Sequence, residues 1–170
     1  EWGHGISITN SENVILENPT IKDCWGDGIY IGNNFWDNST ISTDNVIINN
    51  AIIDNVRRNG ISVTSNKNIT INNAKITNVN GAQPQAGIDI EPEGVDGMPI
   101  VCDNINIKNL FTFNCNGAGL LLFFTHDVTL SNNPKIDINI ENHTDEKSQV
   151  GLFAAGANDG LSGTVNVLNS

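Results

Sequence analysis

An all-β fold, a right-handed parallel β-helix of about six coils with three short strands each, is predicted by three observations. A Gly-apolar-x-apolar motif recurs along the chain, a second alternating motif sits between its copies, and 29 of the 170 residues are asparagine. Asn and Gly are poor helix formers, whereas the 23 isoleucines suit strands.

The first motif reads Gly5-Ile6-Ser7-Ile8, Gly28-Ile29-Tyr30-Ile31, Gly60-Ile61-Ser62-Val63, Gly87-Ile88-Asp89-Ile90 and Gly119-Leu120-Leu121-Leu122, with Gly151-Leu152-Phe153-Ala154 as a weaker sixth copy. Successive glycines are 23, 32, 27, 32 and 32 residues apart. Alternation at period 2 marks a strand with one face turned to a core. Stacking the copies predicts two inward columns, Ile6-Ile29-Ile61-Ile88-Leu120 and Ile8-Ile31-Val63-Ile90-Leu122.

The second motif begins and ends on Asn in Asn13 to Asn18, Asn45 to Asn50, Asn68 to Asn73 and Asn104 to Asn109. Asp127 to Asn132 is read as its next copy and Thr164 to Asn169 as its last. Asn18, Asn50, Asn73, Asn109 and Asn132 then fall at equivalent turns, where stacked amides about 4.8 Å apart can bond along a ladder. Asn also tolerates the left-handed backbone that such a turn needs. A third short strand follows, as in Ala51 to Asp54 and Ala74 to Thr77. Departures from the repeat at Asn33 to Thr43, Pro92 to Cys102, Asn80 to Gln85 and Asn142 to Gln149 read as insertions walling a groove over the outward face of the first strand row.

A single domain, residues 1–170, is expected from this length, and both ends fall inside strand patterns, as in a fragment of a longer β-helix protein. The net charge of −11 leaves no electrostatic footprint for nucleic acid or an anionic membrane. No apolar run approaches a membrane span. Three cysteines, Cys24, Cys102 and Cys115, have neither disulfide nor zinc spacing and read as core thiols.

The outward positions of the first motif collect polar and aromatic groups. Asp89 and Glu91 stand two apart on one strand and point the same way, with Cα atoms about 7 Å apart. Carboxyls at roughly that separation perform acid–base glycoside cleavage, so Asp89 and Glu91 are the candidate catalytic pair. Two solvated surface carboxylates are the plain alternative, and a Ca²⁺ site from Asp89, Glu91, Glu93 and Asp96 a third. Trp25, Asp27, Tyr30, Arg58 and Glu93 are candidate sugar-binding residues, since sugars stack on aromatic faces and bond to carboxylates and guanidinium. Closing its turn, about 14 Å from Asp89, is the favoured role of Asp27 over sugar binding, and Arg57 or Arg58 has pairing with Asp27 or Asp54 as its plain alternative. No metal-ligating cluster is otherwise predicted, because His126 and His143 lack companions.

The Gly-Ile-x-Ile motifs, the phrase Trp25-Gly26-Asp27-Gly28-Ile29-Tyr30-Ile31-Gly32 and the phrase Gly87-Ile88-Asp89-Ile90-Glu91-Pro92-Glu93 resemble the pectate-lyase-like β-helix superfamily. Within it they are most similar to bacteriophage tailspike and appendage proteins that degrade bacterial surface polysaccharides. That resemblance implies an extracellular polysaccharide depolymerase, hydrolase or lyase, on the virion tail if phage-encoded, and a homotrimer. The chain lacks the paired aspartates and Arg-Ile-Lys segment of polygalacturonases and the Asp-Pro-His signature of epimerases. A non-catalytic carbohydrate-binding or adhesin segment, or a structural spacer, remains the competing expectation.

Overall fold

The computed structural model describes residues 2–33, 42–92, 101–124, 135–156 and 162–170. Among them the chain forms strands and no helix: β1 (Ile6–Thr9), β2 (Glu12–Glu17), β3 (Thr20–Lys22), β4 (Ile29–Gly32), β5 (Asp44–Asn49), β6 (Ile52–Val56), β7 (Ile61–Val63), β8 (Asn66–Asn72), β9 (Lys75–Val79), β10 (Ile88–Ile90), β11 (Val101–Cys115), β12 (Ala118–Phe123), β13 (Lys135–Glu146), β14 (Val150–Ala155) and β15 (Ser162–Leu168). One sheet runs β1-β4-β7-β10-β12-β14. The other runs β2-β5-β8-β11-β9-β6-β3, with β13 on β11 and β15 on β13.

Every pairing is parallel and keeps the repeat in register. Ile6 stands opposite Ile29, Ile29 opposite Ile61, Ile61 opposite Ile88, Ile88 opposite Leu120 and Leu120 opposite Leu152. Both inward columns are buried from Ile29 to Leu122. The facing sheet supplies Val46, Ile69, Ile105 and Ile138 in one column and Ile48, Ile71, Ile107 and Ile140 in another. The repeat glycines follow from this stacking. A Cβ on Gly28 would lie 2.7 Å from the Gly60 carbonyl oxygen, closer than carbon and oxygen can approach.

The asparagine ladder forms, with one change of rung. Asn50 donates to Asn18 at 3.1 Å, Asn73 to Asn50 at 3.0 Å and Asn109 to Asn73 at 2.9 Å. Asn142, not Asn132, donates to Asn109 at 2.9 Å, and Asn169 follows it. Asn18, Asn50, Asn73, Asn109 and Asn142 all have φ between 53 and 59°. The copy expected at 127–132 lies outside the described residues, and its place against β11 is taken by β13, where Ile138 opposes Ile105. The expected insertion at Asn142 to Gln149 is for the most part strand: β13 continues to Glu146, with Thr144 opposite Phe111. Those at 33–43 and 92–102 fall largely outside the described residues, as do Glu93 and Asp96.

Cys102 and Cys115 are buried, and Cys24 is half-buried against the core. Cys115 stands opposite Val79, which stands opposite Val56, as an inward thiol should.

Candidate functional site

The outward column of the first sheet is Ser7, Tyr30, Ser62, Asp89, Leu121 and Phe153. At its centre it is not an open groove floor. Ser62 and Asp89 are only 2% exposed, because the turn entering β7 folds over them. From that turn the fully buried Asn59 sends its amide across the sheet, donating to Ser62 Oγ and to Asp89 Oδ2, both at 3.0 Å. Its own carbonyl accepts the Ala86 N–H at 3.0 Å. Both ends of the amide are thereby used, which locks its orientation.

Asp89 is therefore not the solvated outward carboxylate expected from alternation. It points away from the core yet lies beneath other side chains. Its Oδ1 is buried and has no hydrogen-bond partner among the described residues. Burial, then the nearby charge of Glu91, pushes its pKa up to about 8, against the opposing pull of Arg58. The protonated form supplies an O–H donor at neutral pH.

Asp27, in the turn before β4, is fully buried. Its Oδ1 accepts the Asn59 N–H at 3.1 Å, and Arg58 Nη1 lies 3.2 Å from Oδ2 and 3.5 Å from Oδ1. His4 Nδ1 accepts the Asp27 N–H at 3.1 Å and lies 3.3 Å from Oδ2. A ring nitrogen accepting that bond is unprotonated, in keeping with the lowering of the His4 pKa, chiefly by burial. Burial raises Asp27, with Arg58 and His4 pulling it back. Turn closure and the ion pair to Arg58 are thus both realised in one residue.

Asn59 joins the two buried carboxyls. Two hydrogen bonds and one asparagine between them hold their nearest oxygens within roughly 11 Å.

Tyr30 lies along its strand: a Cβ on Gly32 would meet its hydroxyl, so Gly32 makes room for the ring. The His4 ring stacks on it at 5.0 Å and 17°. Trp25 is 61% exposed, but the Arg57 guanidinium covers one ring face at 3.8 Å. It stands apart from Asp89, beside Asp23 and Asn55, in a shallow depression.

A cleft of about 610 Å³ adjoins Asp89 on the side of its cross-strand neighbour Leu121. Leu121, Phe123 and Phe153 provide apolar surface, Gln83, Gln85, Asn116 and Gln149 provide amides, and Glu91 and Arg58 are its charged members. Of the residues expected at the site, the structure brings Asp89, Asp27 and Arg58 into one network and places Glu91 in the cleft beside it. Asn59, a turn residue before the repeat glycine, and the four amides, three of them in the expected insertions, were not among the expected site residues. Phe153 had a signal, being the outward residue two after Gly151. Asn59 had its place in the turn before Gly60, but its reach to Asp89 in the next rung depends on the turn's shape. Among the described residues no group of three or more His, Cys, Asp or Glu is placed to hold a metal ion.

The family model described as a right handed beta helix region matches residues 1–92. The chain is similar to the uncharacterised protein YclG of Bacillus subtilis (strain 168), 33% identical over 77% of this chain and 25% of that protein. It is also similar to the SPbeta prophage-derived uncharacterised protein YorA of the same strain, 31% identical over 57% of this chain and 18% of that protein. The chain thus spans a quarter or less of these relatives' length. No solved structure matches.

Proposed function

Because the chain belongs to the right-handed β-helix family, we propose that it is a carbohydrate-active segment of a longer tailspike-like protein, a closed solenoid of about six coils that degrades bacterial surface polysaccharide. The observation that carries this reading is Asp89: a buried carboxyl with an unpaired Oδ1, holding its proton at neutral pH at the edge of a cleft.

In this reading Asp89 is the general acid and Glu91 the general base. Asp89 gives its proton to the glycosidic oxygen as the bond from that oxygen to the anomeric carbon breaks. Glu91 takes a proton from the water that attacks the anomeric carbon. With Asp89 on β10 and Glu91 two residues on, just past its end, the pair has about the spacing that leaves room for a water between them. Asn59 and Arg58 hold the surrounding charge, Arg58 by keeping Asp27 paired. The longer protein acts outside the cell, on the virion tail if phage-encoded, as a homotrimer. Similarity to a prophage-derived protein supports that setting.

The second reading, a carbohydrate-binding segment without catalysis, is favoured by one observation: Asp89 is 2% exposed and does not itself line the cleft. Release of reducing ends from a panel of purified bacterial surface polysaccharides separates the two. Asp89→Asn should lower that activity at least about a hundredfold while glycan binding changes little. Full activity in both Asp89→Asn and Glu91→Gln overturns the enzymatic reading. Binding with no turnover by the unaltered protein selects the second.

A further inference from the structure

We infer that the cleft between Glu91 and Phe153 takes an uncharged glycan bearing hydroxyl or acetamido groups, and selects against uronate-containing polymers. The inference rests on the carbohydrate reading above and adds the class of sugar.

The charges around the cleft decide it. Arg58 is the one cationic side chain among the described residues lining it. Its charge is offset by the buried Asp27, with Nη1 within 3.5 Å of both carboxylate oxygens. Withdrawing Arg58 to meet a ligand would strand a fully buried carboxylate, which is costly. The other arginine of that turn, Arg57, lies over Trp25, whose depression is separate from the cleft. Lys147 lies 4.9 Å from the Phe113 ring, in a strand of the other sheet. Among the described residues lining the cleft a sugar carboxylate would therefore meet no cation but the offset Arg58, in a chain of net charge −11 that repels polyanions as they approach.

What the cleft does offer is neutral. The amides of Gln83, Asn116 and Gln149 present both donors and acceptors, matching hydroxyl and acetamido groups. Phe153, 45% exposed on β14, gives an apolar face for the C–H side of a pyranose ring. Removing a uronate α-proton would also demand positive charge to hold the developing enolate, so the same charges favour hydrolysis over elimination.

The test uses the full chain on an array of defined neutral and uronate-bearing glycans, followed by titration of the strongest binder at 0.05 and 0.5 M NaCl. Polygalacturonate is the anionic control. Neutral glycans should bind, with a Kd changing less than about twofold with salt. Phe153→Ala should weaken that Kd about five- to tenfold without altering the fold. Preference for uronate-bearing glycans, with affinity falling steeply with salt, overturns this inference and leaves the carbohydrate reading standing. Neutral binding untouched by Phe153→Ala places the ligand elsewhere and also overturns it. Binding to no glycan of either class overturns the carbohydrate reading itself.

Discussion

Replacing Asp89 with Asn removes one titrating group and almost no volume, so its effect on stability against pH isolates that carboxyl. The folded-state value is about 8 against an ordinary 3.8, raised first by burial. Between those values the native chain holds a proton that the unfolded chain has released. A raised folded pKa contributes stability that is full below the ordinary value and is lost as pH rises through the folded one. The loss is about 1.4 kcal/mol per pH unit, or about 3 kcal/mol between pH 5 and 7. Above pH 8 the buried charge costs roughly 5–6 kcal/mol relative to a neutral side chain. Asn carries no charge, so Asp89→Asn should be within about 1 kcal/mol of the unaltered chain at pH 4 and below, about 2 kcal/mol more stable at pH 5 and more stable still at pH 8. Asp27 is also raised and His4 is lowered, but both remain in the variant, so the difference between the two proteins largely cancels them. Urea unfolding of both proteins at intervals from pH 4 to 9 measures it. Parallel stability curves would refute a protonated Asp89 and, with it, the acid role.

Three further outcomes are expected. Arg58→Met should destabilise by about 3 kcal/mol, because Asp27 stays buried without its cation, and adding Asp27→Asn should recover most of that loss in the same unfolding assay; a loss below 0.5 kcal/mol, taken as about the usual surface effect, would show the pair to be ornamental. Asn73→Ala should cost about 2–3 kcal/mol and Asn73→Gly less, since Asn73 has φ 55° and sits between two ladder bonds; equal costs would remove the backbone argument. In labelling with an aromatic disulfide reagent without denaturant, half-buried Cys24 should react first, whereas Cys102 and Cys115, pushed up by burial to about 12 and about 11, should stay protected; rapid reaction of all three would show that neither is in the core.

The strand rows were legible because a parallel stack repeats its demands: each rung needs the same inward pair and the same glycine, so Ile29, Ile61 and Ile88 could be aligned by eye. Legibility failed where two segments made equal claims. Asp127 to Asn132 and Lys135 to Asn142 both alternate and both end on Asn. The second has three isoleucines spaced to meet Cys102, Ile105 and Ile107, the first two across a shift in register. The site was legible only by strand. Alternation placed Asp89 and Glu91 on the outward side but carried no information about cover, which comes from Asn59 in a turn 30 residues earlier.

The fold itself does not require carboxyls at these positions. Leu121 and Phe153 occupy the same outward column as Asp89, on the next two strands, and the register runs through them unbroken. An apolar residue at 89 would pack against Leu121 and spare the orphaned oxygen, leaving the Asn59 amide its bond to Ser62 Oγ. Asp27 makes the same case from the other side. Turn closure needs one acceptor for the Asn59 N–H, which an uncharged side chain supplies, yet a full carboxylate is present and Arg58 is held to balance it. Two buried acids, one matched to a cation and one kept neutral by burial, are an expensive way to build a strand row and an effective way to place a proton beside a cleft. That asymmetry, more than the bare count of acidic residues on the face, is why Asp89 carries the functional reading.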